Sequence, residues 1–302
     1  MKRKPTSGEV PKTRAGSRNP VSRIAEDLKA PSPEAELEKA IGIPTAVSGS
    51  LLASGFPFQT AVADAVRKAE GWKVLAEEWP WQDGGADRFL DVVASKGEVT
   101  LAIEAKKSDK EVFTSLSDGP KGKDTNWWRG VVLTQIRDST ARMELECRTW
   151  QSAPSSPIAK FCVVATSKTG GDQRLLERDA QLLLRGTKAY GLRFRRTFRP
   201  GQGEFDRPFV PVLVTNAEVF VAEYERESVS MDTGQLRLDE TAITAVDWVR
   251  FAKPFLADRD RDFGDLVVFV VRASKLNGFL NTIALTGGSM VGGAVGVPSD
   301  RP

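Results

Sequence analysis

Histidine is absent from the 302 residues. Its absence excludes Ser-His-Asp and Cys-His nucleophile systems and the H-E-x-x-H zinc proteases. Cysteine occurs twice, as Cys147 and Cys162, too few for a disulfide framework or an ordinary zinc site and without a C-x-x-C pair. A reducing, cytoplasmic compartment is the default expectation. No apolar run approaches the roughly 18 residues of a membrane span. The longest, Leu266 to Val271, is strand-sized. The basic N-terminus lacks the apolar core of a secretory signal. Chemistry must therefore run on carboxylates, lysine or a hard cation held by oxygen.

What is present is ordinary in amount and uneven in place. Apolar residues make up 40% and charged residues 27%, enough for a sizeable core. The net charge is +3, yet residues 1–30 carry eight Lys or Arg against three acids, which leaves the rest at −2. Nucleic-acid binding by the body would need local patches. Residues 1–50 read as a disordered basic tail, with a short helix at Ala35–Ile41. Residues 51–286 read as one domain, and the Gly-, Ser- and Pro-rich residues 287–302 as a flexible C-terminal tail without a P-loop lysine.

Within the body, Phe58, Val62, Ala65, Val66 and Ala69 make one helical stripe that Gly71 ends. Trp72–Ala76 predicts a strand and Glu77–Gly85 a charged loop. Arg88–Ala94 and Glu98–Lys106 predict two strands joined through Ser95-Lys96-Gly97. Trp128–Trp150 reads as a long helix, Ala159–Thr166 as a buried strand and Asp172–Ala189 as a helix. Strands follow at Phe209–Val214 and Glu218–Tyr224, a helix at Ala242–Phe251, a strand at Leu266–Arg272 and a helix at Lys275–Ile283. Such mixing predicts an α/β domain with a mixed central sheet flanked by helices.

The hairpin strands hold the chemistry. On Leu101–Lys106 side chains alternate, so Glu104 and Lys106 share a face about 7 Å apart. Pairing Ala94 with Val99 sets Asp91 opposite Ala102, a diagonal neighbour of Glu104. A three-residue loop would move Asp91 to the other face. Two carboxylates can hold Mg²⁺, or Mn²⁺, which acidifies water and shields phosphate charge, while the lysine orients the attacking water. Phosphodiester hydrolysis needs no more than this. A charged outer hairpin face would look similar, but Phe-Leu and Val-Val flank Asp91, and a buried carboxylate needs a partner.

Phe58-Gln59 opening a helix, then Arg88-Phe89-Leu90-Asp91-Val92-Val93, then Ile103-Glu104-Ala105-Lys106 resemble the PD-(D/E)XK nuclease superfamily, the restriction-endonuclease-like fold. The resemblance implies an αβββαβ core and a Mg²⁺-dependent endonuclease. It assigns Asp91 and Glu104 as metal ligands and Lys106 as the catalytic lysine. Leu90 stands where the family name has proline. Gln59, about 80° from the stripe centre, takes the place of the helix acid that many members carry, and Asp64 faces solvent. Gln135, read on the following helix, matches a glutamine that some members carry near the site.

The expected partner is nucleic acid, DNA ahead of RNA, in restriction, defence or repair, with a homodimer or a protein partner possible and no membrane. The alternative is a non-catalytic nucleic-acid-binding or assembly module on the same fold. Arg185, Lys188, Arg193, Arg195, Arg196 and Arg199, interleaved with aromatics, read as a basic connection that meets phosphates. Trp79, Trp81, Trp127 and Trp128 offer faces for base stacking, although core packing is the commoner use.

Overall fold

Val62, Ala63 and Val66 recur at helical spacing, and Pro57 sits at the first turn where its missing N–H costs nothing. They form α1 (Phe56–Lys68) in a computed structural model that describes residues 47–51, 54–108, 112–118, 127–135, 143–151, 155–165, 175–197, 206–256 and 262–285. The chain divides into Met1–Ala53 and Ser54–Pro302. Of the first unit only 47–51 is described, as an exposed helical turn, so Ala35–Ile41 lies outside the described residues, as do 287–302.

The second unit continues with β1 (Lys73–Asp83), β2 (Ala86–Lys96), β3 (Val99–Lys106), β4 (Val112–Asp118), β5 (Trp127–Gln135), β6 (Met143–Gln151), β7 (Ile158–Ala159) and β8 (Phe161–Ala165). Then come α2 (Leu175–Thr197), β9 (Asp206–Thr215), β10 (Glu218–Tyr224), β11 (Ala242–Ala245), β12 (Trp248–Leu256), β13 (Asp262–Arg272) and α3 (Leu276–Leu285). The architecture is α/β with two sheets. A nine-stranded mixed sheet runs β1-β2-β3-β9-β13-β12-β7, with β5 and β6 added through β9. A four-stranded sheet runs β11-β10-β4-β8.

The first three strands are an antiparallel meander, and β9 joins β3 in parallel. β9 divides its other edge: Asp206–Phe209 pair with β5 and Val212–Thr215 with β13. Alternation sorts the central strands onto two cores. Val92, Ala94, Leu101, Ile103 and Val212 pack with α1 and α3, whereas Val93, Ala102 and Leu213 pack with α2.

Several expectations are corrected. Glu77–Gly85 is not a loop: β1 runs to Asp83 and turns through Gly84 (φ 57°) and Gly85 (φ 89°), left-handed conformations that suit glycine. Trp128–Trp150 contains no helix among its described residues but the hairpin strands β5 and β6. Met143, Cys147 and Trp150 are spaced as on one helix face, but in the strand Met143, Leu145 and Cys147 pack on one core and Trp150 on the other. Ala242–Phe251 is likewise β11 and part of β12, where Val249 and Phe251 enter one core and Trp248 the other. The hairpin pairs Lys96 with Val99 around Gly97-Glu98, two residues off the expected register but of the same parity, so faces are unchanged. Arg185–Arg196 lies on α2, not in a connection.

Candidate active site

β2 and β3 pair only from Lys96↔Val99 to Val92↔Ile103. Beyond that point they part: β2 stays with β1 as far as Asp83↔Ala86, and β3 stays with β9 as far as Lys106↔Thr215. A fork opens between them. Asp91 stands at its base, and its Oδ2 accepts a hydrogen bond from the Ala105 amide at 2.7 Å. The carboxylate thus takes a ladder donor that a β2 carbonyl would otherwise meet. One register step beyond the last pair, Asp91 faces Glu104 directly, where the sequence predicts a diagonal.

Lys106 follows two residues on, pointing to the α2 side. Its Nζ lies 2.8 Å from Oδ2 of Asp179 on α2. Asp179 is 9% exposed. The fork therefore gathers Asp91, Glu104 and Asp179 around one ammonium, an excess of negative charge in a place largely withdrawn from water.

The electrostatics follow. Burial raises the Glu104 carboxyl to about 8, and the neighbouring Asp91 and Asp179 push the same way against Lys106. Burial also raises Asp91 to about 6; the Ala105 amide opposes the rise, while Glu78 adds to it. Glu78 lies within β1 with a left-handed φ of 50°, uncommon for a residue other than glycine. Glu77 is no turn residue either; it lies in β1 and pairs with Arg67 of α1.

Gln59 reaches the fork from α1, but its Nε2 donates to the backbone carbonyl of Asp91 at 3.5 Å, not to the carboxylate. Asp64 faces outward and pairs with Lys68. Gln135 is not on a helix but ends β5. On α2, Arg185 is spent on Asp83 at 3.0 Å, and Lys188 lies over the Phe255 ring at 5.7 Å. Arg193, Arg195 and Arg196 are exposed on its last turns. Arg199 lies outside the described residues. Trp79 packs edge-on against Tyr190 with ring centres 5.0 Å apart.

Asp179 is the residue that sequence reasoning missed. A signal existed: it falls on the buried stripe of Leu176, Ala180, Leu183 and Leu184, an acid where helical phase demands an apolar residue. The chain matches no protein-family model, no curated protein and no solved structure.

Proposed function

We propose that the protein is a metal-dependent nuclease that hydrolyses phosphodiester bonds, on a restriction-endonuclease-like core. The order α1, β1, β2, β3, α2, β9 supports the αβββαβ reading, with β9 parallel to β3 and five strands inserted ahead of α2. The observation that carries the function is the fork, where two facing carboxylates and a lysine converge with acid in excess.

The donor set fits a hard divalent cation. It is all oxygen and partly buried, and Asp91 favours the protonated form of Glu104 despite the nearby Lys106. Asp91 and Glu104 would hold Mg²⁺ or Mn²⁺. Among the described residues no group of three or more Asp, Glu or Cys is arranged as a ligand set. Two carboxylates suffice for Mg²⁺, which keeps several waters and takes further ligands from phosphate. When bound, the cation supplies charge neutralisation at the phosphate and lowers the pKa of water. The protein's own part is positional. Ala105 fixes the Asp91 carboxylate, Gln59 braces its backbone, and Asp179 holds the Lys106 ammonium toward the place where charge develops.

A specific observation favours a second reading. Gln59 stands in place of a helix acid and meets only a carbonyl, and Lys106 is already paired, as suits a fold that binds nucleic acid without cutting it. Incubation with plasmid, single-stranded DNA and RNA, in Mg²⁺ and in EDTA, separates the two. Cleavage in Mg²⁺ alone is expected. Asp91→Ala, Glu104→Ala or Lys106→Ala should each lower it about 10³-fold or more, equivalent to roughly 4 kcal/mol. Undiminished cleavage in Asp91→Ala or Glu104→Ala refutes the assignment. Binding without cleavage by the wild type favours the module.

A further inference from the structure

Beside the fork lies a cleft of about 280 Å³, lined on one side by Trp81, Arg88 and Leu90 of the β1–β2 hairpin and on the other by Leu182 and Leu183 of α2. Glu104 is part of the same lining. We propose that this cleft is a nucleobase subsite, which takes the unstacked base of the nucleotide next to the phosphate at Glu104. The inference rests on the nuclease reading and names its substrate class: nucleic acid that is single-stranded or locally unpaired at the cut.

Four observations support it. The first is continuity, because an occupant of the cleft touches Glu104 and so sits within one nucleotide of the reacting group. The second is the walls: Leu182 and Leu183 face Trp81, Phe89 and Leu90, as the faces of a base require, with the charged Asp87 and Arg88, both exposed, also on the hairpin side. The third is aromaticity. Trp81, 8% exposed and so held by its packing, contributes indole surface to the cleft, and a base stacks on an aromatic surface.

The fourth observation is rigidity. A Cβ on Gly186 of α2 would come within 2.7 Å of Leu90 and 3.1 Å of Trp81. The missing side chain lets helix and hairpin close just beyond Leu182 and Leu183, which fixes the distance between the walls. Position supplies the selectivity. The cleft lies between helix and hairpin, so a base reaches it only after leaving its stack. Extruding a base costs least where it is mismatched or already single-stranded.

The test measures the affinity of the full chain, in EDTA, for labelled oligonucleotides: a single strand, a perfect duplex, and the same duplex with one unpaired base. The wild type should prefer the single strand and the unpaired site. Leu182→Trp fills the cleft, and Trp81→Phe puts a smaller ring in place of the indole. Each should reduce the preference by about 5- to 100-fold, the scale of one base contact. If Leu182→Trp fails to fold by circular dichroism, Trp81→Phe decides. Equal wild-type affinity for perfect duplex and unpaired site, or a preference untouched in the folded variants, overturns the proposal. Plasmid cleavage in Mg²⁺ is read in parallel. Cleavage without the preference sinks the base pocket alone, and neither cleavage nor binding sinks the nuclease reading with it.

Discussion

On one side of β3, Leu101 and Ile103 are fully buried against α1 and α3, within a cluster of apolar residues. On the other, Ala102 enters the core under α2, and the next two positions of the same row are Glu104 and Lys106. The two faces share one backbone and one alternation. They differ where β2 departs, because there the α2 side exchanges a hydrophobic neighbour for Asp91 and Asp179. One face lowers the free energy of folding by removing carbon from water. The other raises it by crowding carboxylates, a cost that the proposed cation would offset.

Neighbouring residues should therefore respond to substitution with opposite sign. The largest effect is expected at Ile103→Ala, which should destabilise by about 2–5 kcal/mol through lost burial and a residual cavity. For a body of this size the melting temperature would fall by roughly 2–4 °C per kcal/mol. A urea or thermal melt checks it, and a loss under about 1 kcal/mol would mean that this face is not core.

Glu104→Gln should act the other way. The folded carboxyl titrates near 8, above the ordinary carboxylate range, so the folded state keeps a proton that the unfolded state has released. Wild-type stability then falls as pH rises from about 4.5 through 8. Glutamine removes that dependence and should stabilise the fold at pH 8–9 by roughly 2–4 kcal/mol, with little difference at pH 4. Adding Mg²⁺ at pH 8 should raise the wild-type melting temperature and leave Glu104→Gln nearly unmoved. A variant less stable than wild type at pH 8 would show that Glu104 is a structural partner rather than a strained ligand.

The smallest effect on stability is expected on the outer surface of α2. Neutralising Arg193, Arg195 and Arg196 together should change stability by less than about 0.5 kcal/mol per site. It should flatten the slope of log affinity against log salt by up to three phosphate contacts, near 0.9 each for duplex DNA. An unchanged slope would leave these arginines as solvated charge and make the basic N-terminal residues the better candidates.

The legible parts of the molecule are those with one dominant period. Val62, Ala63 and Val66 specify α1, and the alternation from Val99 to Lys106 gives β3 and the shared face of Glu104 and Lys106. The turn at Gly97 could not be fixed to the residue, but parity protected the conclusion about Asp91. The illegible parts carry two periods at once. Met143, Cys147 and Trp150 read as helix and fold as strand. The helix read to end at Ala189 runs on to Thr197, and Gly191 within it lets α2 approach β6, since a Cβ there would lie 2.9 Å from Leu145. Asp179 shows in the sequence only as an acid on the apolar stripe of α2; its pairing with Lys106 needs the fold, which brings α2 over β3.

β9 bears on how this protein is made. Its pairing with β3 joins Leu101 to Val210, and both its other neighbours depend on it as well. At roughly 5–20 residues per second, a ribosome finishes the meander roughly 5–20 s before β9 exists. For that interval the acids of β2 and β3 are in place, while Asp179 and the strand beyond Lys106 are still being synthesised. The burial that raises the Asp91 and Glu104 carboxyls is therefore incomplete until α2 and β9 have been translated.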